Sequence, residues 1–256
     1  MRPWKLISSS LTVAEMEARR IRHDPTELFV RLIQPALWLL VFGEVFSSIR
    51  AINTAPYTYL QFITPGVLAQ SVLFIAIFYG ITVVWERDVG ILTKLLSTPS
   101  PSSSVVVGKS FAAGIRGIVQ AVMIFVLALL IGVSVRIDPL DVIGVLFVVV
   151  LLAMCFSCLS MLLASFLKTR DRVMGIGTAI TMPLFFGSNS IYPLSLMPPW
   201  LQAISALNPL TYVVDALRAF LLSGDYSGLP LDLAVIIAYT AIFAGGSAIM
   251  IRRLLE

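Results

Sequence analysis

Charge is what this sequence has least of. Only 12% of its 256 residues are Asp, Glu, Lys or Arg, against roughly 25% in a water-soluble domain, so the polar surface that a soluble protein needs is missing. Histidine occurs once, as His23, with no metal-ligand spacing around it. Cysteine occurs twice, as Cys155 and Cys158. This CxxC lies in an uncharged run, where two small apolar side chains on one helix face account for it without redox or metal chemistry. The absence of HExxH and GxSxG argues against zinc and nucleophile-elbow hydrolases. Gly108-Lys109-Ser110 resembles the end of a phosphate-binding loop, but Ser103 stands where that loop needs glycine and no strand precedes it. The acid pairs of a metal-dependent membrane enzyme are missing. Of the mid-membrane carboxylates that ion-driven carriers commonly use, Glu44 is the one candidate. No catalytic residue and no metal site is assigned to the chain.

What the sequence has is long apolar runs. Residues 60–85, 117–135, 142–167 and 233–251 carry no charge, and about 20 apolar residues of helix cross a hydrocarbon core of roughly 30 Å. A further run at 29–49 has Arg31 near one end, placed to snorkel to the interface, and Glu44 near the other. Residues 173–214 are 42 in a row without a charge, interrupted by Pro183, Pro193, Pro198, Pro199 and Pro209. Placing the N-terminus in the cytosol puts 15 of the 18 basic residues on the cytosolic side and leaves only Arg50, Arg136 and Arg218 outside. That bias sets an orientation and removes any need for a nucleic-acid partner. Parity then demands an even number of crossings between Arg172 and Arg252. The expectation is an all-α polytopic membrane protein forming a single domain. Its six transmembrane helices fall at 29–49, 60–85, 112–135, 142–167, 173–189 and 233–251, with short re-entrant half-helices in an outer cap at 190–231.

Residues 1–28 form a polar lead-in without a signal-peptide core. Trp4, Ile7, Leu11, Ala14, Ala18 and Ile21 recur at helical spacing ahead of Arg19, Arg20 and Arg22, which predicts an amphipathic helix on the cytosolic membrane surface or against a partner. In the loop after the second span, Ile91, Leu92, Leu95 and Leu96 form an apolar stripe on a short helix that ends at Pro99, with Lys94 off the stripe. Such a helix must bury against its own bundle or in a partner's groove.

Read in order, these segments resemble the permease subunit of an ABC-2 type exporter, over nearly the whole chain. The resemblance is carried by Asp24-Pro25, Gln34-Pro35-Ala36-Leu37-Trp38, Val41-Phe42-Gly43, Phe62-Ile63-Thr64-Pro65-Gly66, Glu86-Arg87-Asp88-Val89-Gly90 with Lys94-Leu95-Leu96-Ser97-Thr98-Pro99, and Gly108-Lys109. The cap adds Tyr192-Pro193-Leu194, Met197-Pro198-Pro199-Trp200-Leu201, Asn208-Pro209-Leu210-Thr211-Tyr212 and Asp215-Ala216-Leu217-Arg218.

The resemblance implies a multi-pass protein of a bacterial or archaeal inner membrane with both termini in the cytosol. It pairs with a second, identical permease and with two separate ATP-binding cassette subunits that hold the ATP and Mg, while this chain binds no cofactor. A coupling helix at Glu86–Leu96 would dock the ATPase through Glu86, Arg87, Asp88, Gly90, Leu92, Lys94, Leu95 and Leu96. Asp215 and Arg218 would pair to hold the cap. The short lead-in favours a drug, lipid or lipo-oligosaccharide as substrate, with a polysaccharide or lipid-linked glycan as the alternative and ion-coupled secondary transport behind both.

Overall fold

A computed structural model describes residues 26–49, 52, 54–96, 102–167 and 169–251, and every regular element among them is a helix. The amphipathic helix expected over Trp4, Ile7, Leu11, Arg19 and Arg20 lies outside the described residues. Helix α1 (Thr26–Leu37) passes through a π-helical turn (Trp38–Gly43) into α2 (Glu44–Ile49). Then come α3 (Tyr59–Asp88), α4 (Ile91–Leu96), α5 (Ser102–Leu130), α6 (Pro139–Phe166) and α7 (Arg170–Phe186). The short helices α8 (Pro199–Ala206) and α9 (Pro209–Arg218) precede α10 (Leu229–Met250).

Local chemistry sets the starts. Thr58 and Gln61 form a reciprocal capping box at α3, and the Gln61 amide goes on to donate to the Ser134 carbonyl at 3.1 Å, clipping α3 to the loop after α5. Asp138 caps α6 ahead of Pro139, and Asn208 caps α9 ahead of Pro209. In each case the side-chain oxygen takes an orphan N–H while proline needs none.

Among the described residues, five stretches are long and apolar enough to cross a membrane: Val30–Ser48, Tyr59–Asp88, Ser103–Leu130, Pro139–Phe166 and Leu229–Met250. The segment expected to cross at 173–189 forms α7, whose 17 residues give about 26 Å of helix. Its ends nevertheless reach both ends of α3. Arg170 Nε donates to Asp88 Oδ2 at 2.7 Å, and beyond the helix the Ile191 carbonyl accepts from Tyr59 Oη at 3.2 Å. A turn at 187–191 therefore completes a path as tall as α3.

Helix α3 is the hub. It is 83% buried over its apolar window, against 11% for α10 and 17% for the first stretch, and it packs on α5, α6, α7 and α9. Ile63, Leu68, Leu73, Ile77 and Ile81 are almost wholly enclosed, as expected of a helix that is apolar all round. Contacts with its neighbours use small and polar groups, as between helices in lipid: Ser160 Oγ of α6 donates to the Ile77 carbonyl at 2.6 Å. At Gly66 the backbone of the turn itself approaches. A Cβ there would press on the Ser190 carbonyl oxygen and lie 2.8 Å from its Cα. Gly66→Ala is expected to destabilise the protein by about 1–3 kcal/mol. Gly175→Ala, with open space around it, should be neutral or stabilising. Thermal midpoints in detergent check both, and equal midpoints would refute the close approach.

One boundary differs from the expected spans in a way that matters. The third was expected at 112–135, yet α5 begins at Ser102 and ends at Leu130. Lys109 reads as a loop cation in the sequence, but it is buried at 3% exposure because it has a buried counter-charge.

Candidate functional site

The counter-charge is Glu86, whose Oε1 accepts from Lys109 Nζ at 2.5 Å. Seven residues back on α3, Tyr79 presents its ring to α5, with Lys109 Nζ at 5.5 Å and Arg116 Cζ at 4.7 Å from its centroid. Tyr79 and Glu86 are i, i+7 on α3, as are Lys109 and Arg116 on α5, so two antiparallel faces meet in register. This ion-pair and cation–π ladder is the main feature that the sequence reading missed. The matched seven-residue spacings were its available signal.

At the end of α3 the chain turns sharply. Gly90 has φ +75°, a left-handed conformation that costs a residue with a side chain roughly 1–2 kcal/mol. The coupling helix expected over Glu86–Leu96 is therefore corrected to two pieces. Residues up to Asp88 belong to α3, and α4 starts afresh at Ile91. Of the residues expected to dock a partner, Glu86 and Leu92 point inward, Leu92 with no exposed surface, because each has a partner or a core site within the bundle. Arg87 is half-buried and Asp88 and Lys94 are exposed, joined outside by Val89 (66% exposed) and Ile91 (46%). The side chains of Leu95 and Leu96 lie outside the described residues. Asp88 accepts from both Arg87 and Arg170 at 2.7 Å, which fastens this elbow to the start of α7.

Beside the elbow a cavity of about 420 Å³ opens between α1, α3 and α5, with Arg31, Tyr79, Trp85, Glu86 and Arg116 in its wall. A second, of about 360 Å³, continues it along α3 past Gln34, Gln70 and Ser71. The two share Arg31, Ile75 and Phe78. Arg31, expected to snorkel outward, instead lies over the Phe78 ring, 5.6 Å from its centroid. Glu44 is exposed at the start of α2, and Cys155 and Cys158 are buried in α6, with Cys158 Sγ 2.9 Å from Ser110 Oγ.

The opposite end holds the cap. Arg218 Nη2 donates to the Asn189 carbonyl at 2.6 Å, its guanidinium lies 3.8 Å from the Phe62 ring centroid, and its Nη1 is 3.6 Å from Asp215 Oδ1. Asn189 closes the circuit by donating to Asp215 at 2.5 Å. Asn208 donates to the Leu184 carbonyl at 2.6 Å while capping α9, and Tyr212 Oη donates to the Ala206 carbonyl at 2.7 Å. Pro198 and Pro199 open α8, on which Trp200 is 65% exposed. Arg136, a further basic residue at this end, pairs with Asp141 at 3.2 Å. Asp141 also accepts from Tyr226, and that hydrogen bond pushes the phenol above its ordinary pKa.

The family profile described as ABC-2 type transporter matches residues 10–222. The chain is 31% identical over 202 residues to the transport permease ycf38 of Cyanophora paradoxa, covering 78% of this chain and 69% of that protein. It is 26% identical over 239 residues to the daunorubicin resistance ABC transporter permease protein DrrB1 of Streptomyces coeruleorubidus, covering 93% and 84%. It is 30% identical over 196 residues to the inner membrane transport permease YadH of Escherichia coli K12, covering 73% and 72%.

Proposed function

The chain belongs to the ABC-2 type transporter family, and from that premise we propose that it is the membrane subunit of an ATP-driven exporter. A separate ATP-binding subunit, holding ATP and Mg, docks on the elbow. Two copies of each assemble, and this chain crosses a bacterial or archaeal inner membrane six times with both termini in the cytosol. The substrate is a hydrophobic or amphipathic molecule moved outward.

One observation carries this reading. The elbow exposes Val89 and Ile91 beside Asp88 and Lys94 while Leu92 anchors it from below. An apolar patch held rigidly at a helix end suits insertion into a partner's groove. The tie from Asp88 to Arg170 lets a push on the elbow reach α3 and α7 together, as rigid-body tilting requires. The daunorubicin in the name of one relative supports an amphipathic substrate.

The test is to co-express the chain with its candidate ATPase, purify the complex and compare ATP turnover with the ATPase alone. Stimulation is expected, and none would overturn the reading. Lys94→Glu, a charge reversal on the exposed face, should abolish that stimulation while leaving membrane insertion and thermal midpoint unchanged. Full stimulation in Lys94→Glu would remove the elbow from the docking surface.

A further inference from the structure

We propose that the cavity at the level of Gln70 binds an uncharged amphipath through a carbonyl or ether oxygen, with the Gln70 amide as its hydrogen-bond donor. This site deepens the exporter reading, on which it rests for the direction of transport, by naming the class of molecule moved. The cavity, of about 360 Å³, falls in the size range of small-molecule sites. One wall is a face of α3, where Gln70, Ser71, Phe74, Ile75 and Phe78 recur at alternating spacings of one and three; Gln34 and Pro35 of α1 stand in the other. Gln70 lies eleven residues into α3, about 16 Å from its start at 1.5 Å per residue, which is well inside the hydrocarbon of a bilayer.

At that depth Gln70 has an unmet requirement. It is 2% exposed, and its Nε2 has no hydrogen-bond acceptor. The neighbouring Ser71 hydroxyl is spent on the Val67 carbonyl at 2.7 Å, and lipid tails have no acceptor to give. Half a turn about the last bond of the side chain exchanges its nitrogen and oxygen, so the amide can hand its donor to a molecule in the cavity. Charged groups nearby are engaged elsewhere: Arg31 lies over the Phe78 ring, and Glu86 is paired with Lys109. What the amide calls for is a neutral oxygen, since an ionised group would lose its hydration here. Phe74 and Phe78 stack with ring planes within 9° and centroids 6.3 Å apart. They make a flat apolar wall beside the amide, suited to a ring or chain that carries the oxygen. A plain hydrocarbon would fill the wall and leave the amide unpaired.

The test uses the full-length chain in dodecyl maltoside and two probes of equal length, a phenyl alkyl ketone and the matching alkylbenzene, at equal mole fractions in the micelle. A molecule that binds only the folded chain raises the thermal midpoint with its concentration. The ketone is expected to act at about five-fold lower concentration than the alkylbenzene, the factor given by one net hydrogen bond. In Gln70→Leu the two probes should become equal, while the midpoint without probe stays level or rises, because an unpaired buried donor has given way to an apolar group. A purely structural Gln70 would instead lower it. Gln70→Met, unbranched like the native side chain, gives the same comparison where leucine disturbs the packing of α3. Gln120 of α5 is the control: it is fully enclosed with both amide atoms unpaired, yet it stands outside the cavity wall. Gln120→Leu should keep the five-fold preference. Equal action of the two probes on the native chain, or a preference that survives both Gln70 variants, would overturn the proposal. ATPase stimulation of the co-purified complex, measured without probe, separates the two readings. If stimulation is present without the ketone preference, this inference alone fails. If the preference is present without stimulation, the site stands and the exporter reading fails.

Discussion

Replacing Lys109 by alanine is expected to destabilise the protein by about 3–5 kcal/mol, the usual loss when one partner of a buried ion pair is removed. Glu86 is 9% exposed and accepts from Lys109 at 2.5 Å, while its second oxygen, Oε2, has no donor. With Lys109 gone, the carboxylate must be protonated or must draw water between α3 and α5. The converse change separates charge loss from lost contact. Glu86→Gln with Lys109→Met removes both charges and keeps the volume, and such replacements of buried pairs are often neutral or stabilising. The double variant should recover most of the native midpoint in thermal or detergent unfolding. If Lys109→Ala unfolds within about 1 kcal/mol of the native chain, the pair behaves as a solvated surface bridge and the two helix faces are not closed.

This pair also explains what the sequence concealed. Hydropathy and charge bias mark the long runs, and the helices follow them to within a few residues at 60–85 and 142–167. They misplace the third because a lone Lys109 reads as solvent-exposed, and only its position opposite Glu86 makes it an interior residue. The same holds at the elbow. An apolar stripe over Ile91, Leu92, Leu95 and Leu96 predicts a helix, but the positive φ of Gly90 decides that Leu92 turns inward while Ile91 stays out. Parity, and not hydropathy, is what predicts a crossing at 173–189. A 17-residue helix falls short on length, and its reach is fixed by contacts to Asp88 and Tyr59 that no local pattern encodes. Arg31 shows the limit most clearly. Its position near a helix end suggests snorkelling, whereas an aromatic ring on α3 holds it beside a crevice.

In the cap, Arg218 and not Asp215 is expected to carry the structure. Their direct pair is long, at 3.6 Å, and the Asp215 side chain is 40% exposed, so the ion pair contributes at most about 1 kcal/mol. The Arg218 side chain is 15% exposed and joins three segments: its own helix α9, the Asn189 carbonyl of the turn after α7, and the Phe62 ring of α3. Arg218→Ala removes a charge-assisted hydrogen bond worth roughly 1.5–3 kcal/mol and the ring contact together, and it leaves a buried carbonyl without its donor. Loss on the order of 3 kcal/mol follows. Hydrogen exchange should accelerate at least ten-fold across 187–191 and α9. Asp215→Asn, which keeps the acceptor for the Asn189 amide, should change exchange there by less than about five-fold. Arg218→Lys keeps the charge but cannot span the carbonyl and the ring with one planar group, so it should resemble the alanine variant more than the native chain. Under the proposed function, export would then fail in both Arg218 variants and persist in Asp215→Asn, because the turn at 187–191 that follows α7 is pinned by the arginine. Equal effects of Asp215→Asn and Arg218→Ala would instead make the i, i+3 ion pair the element that holds the cap.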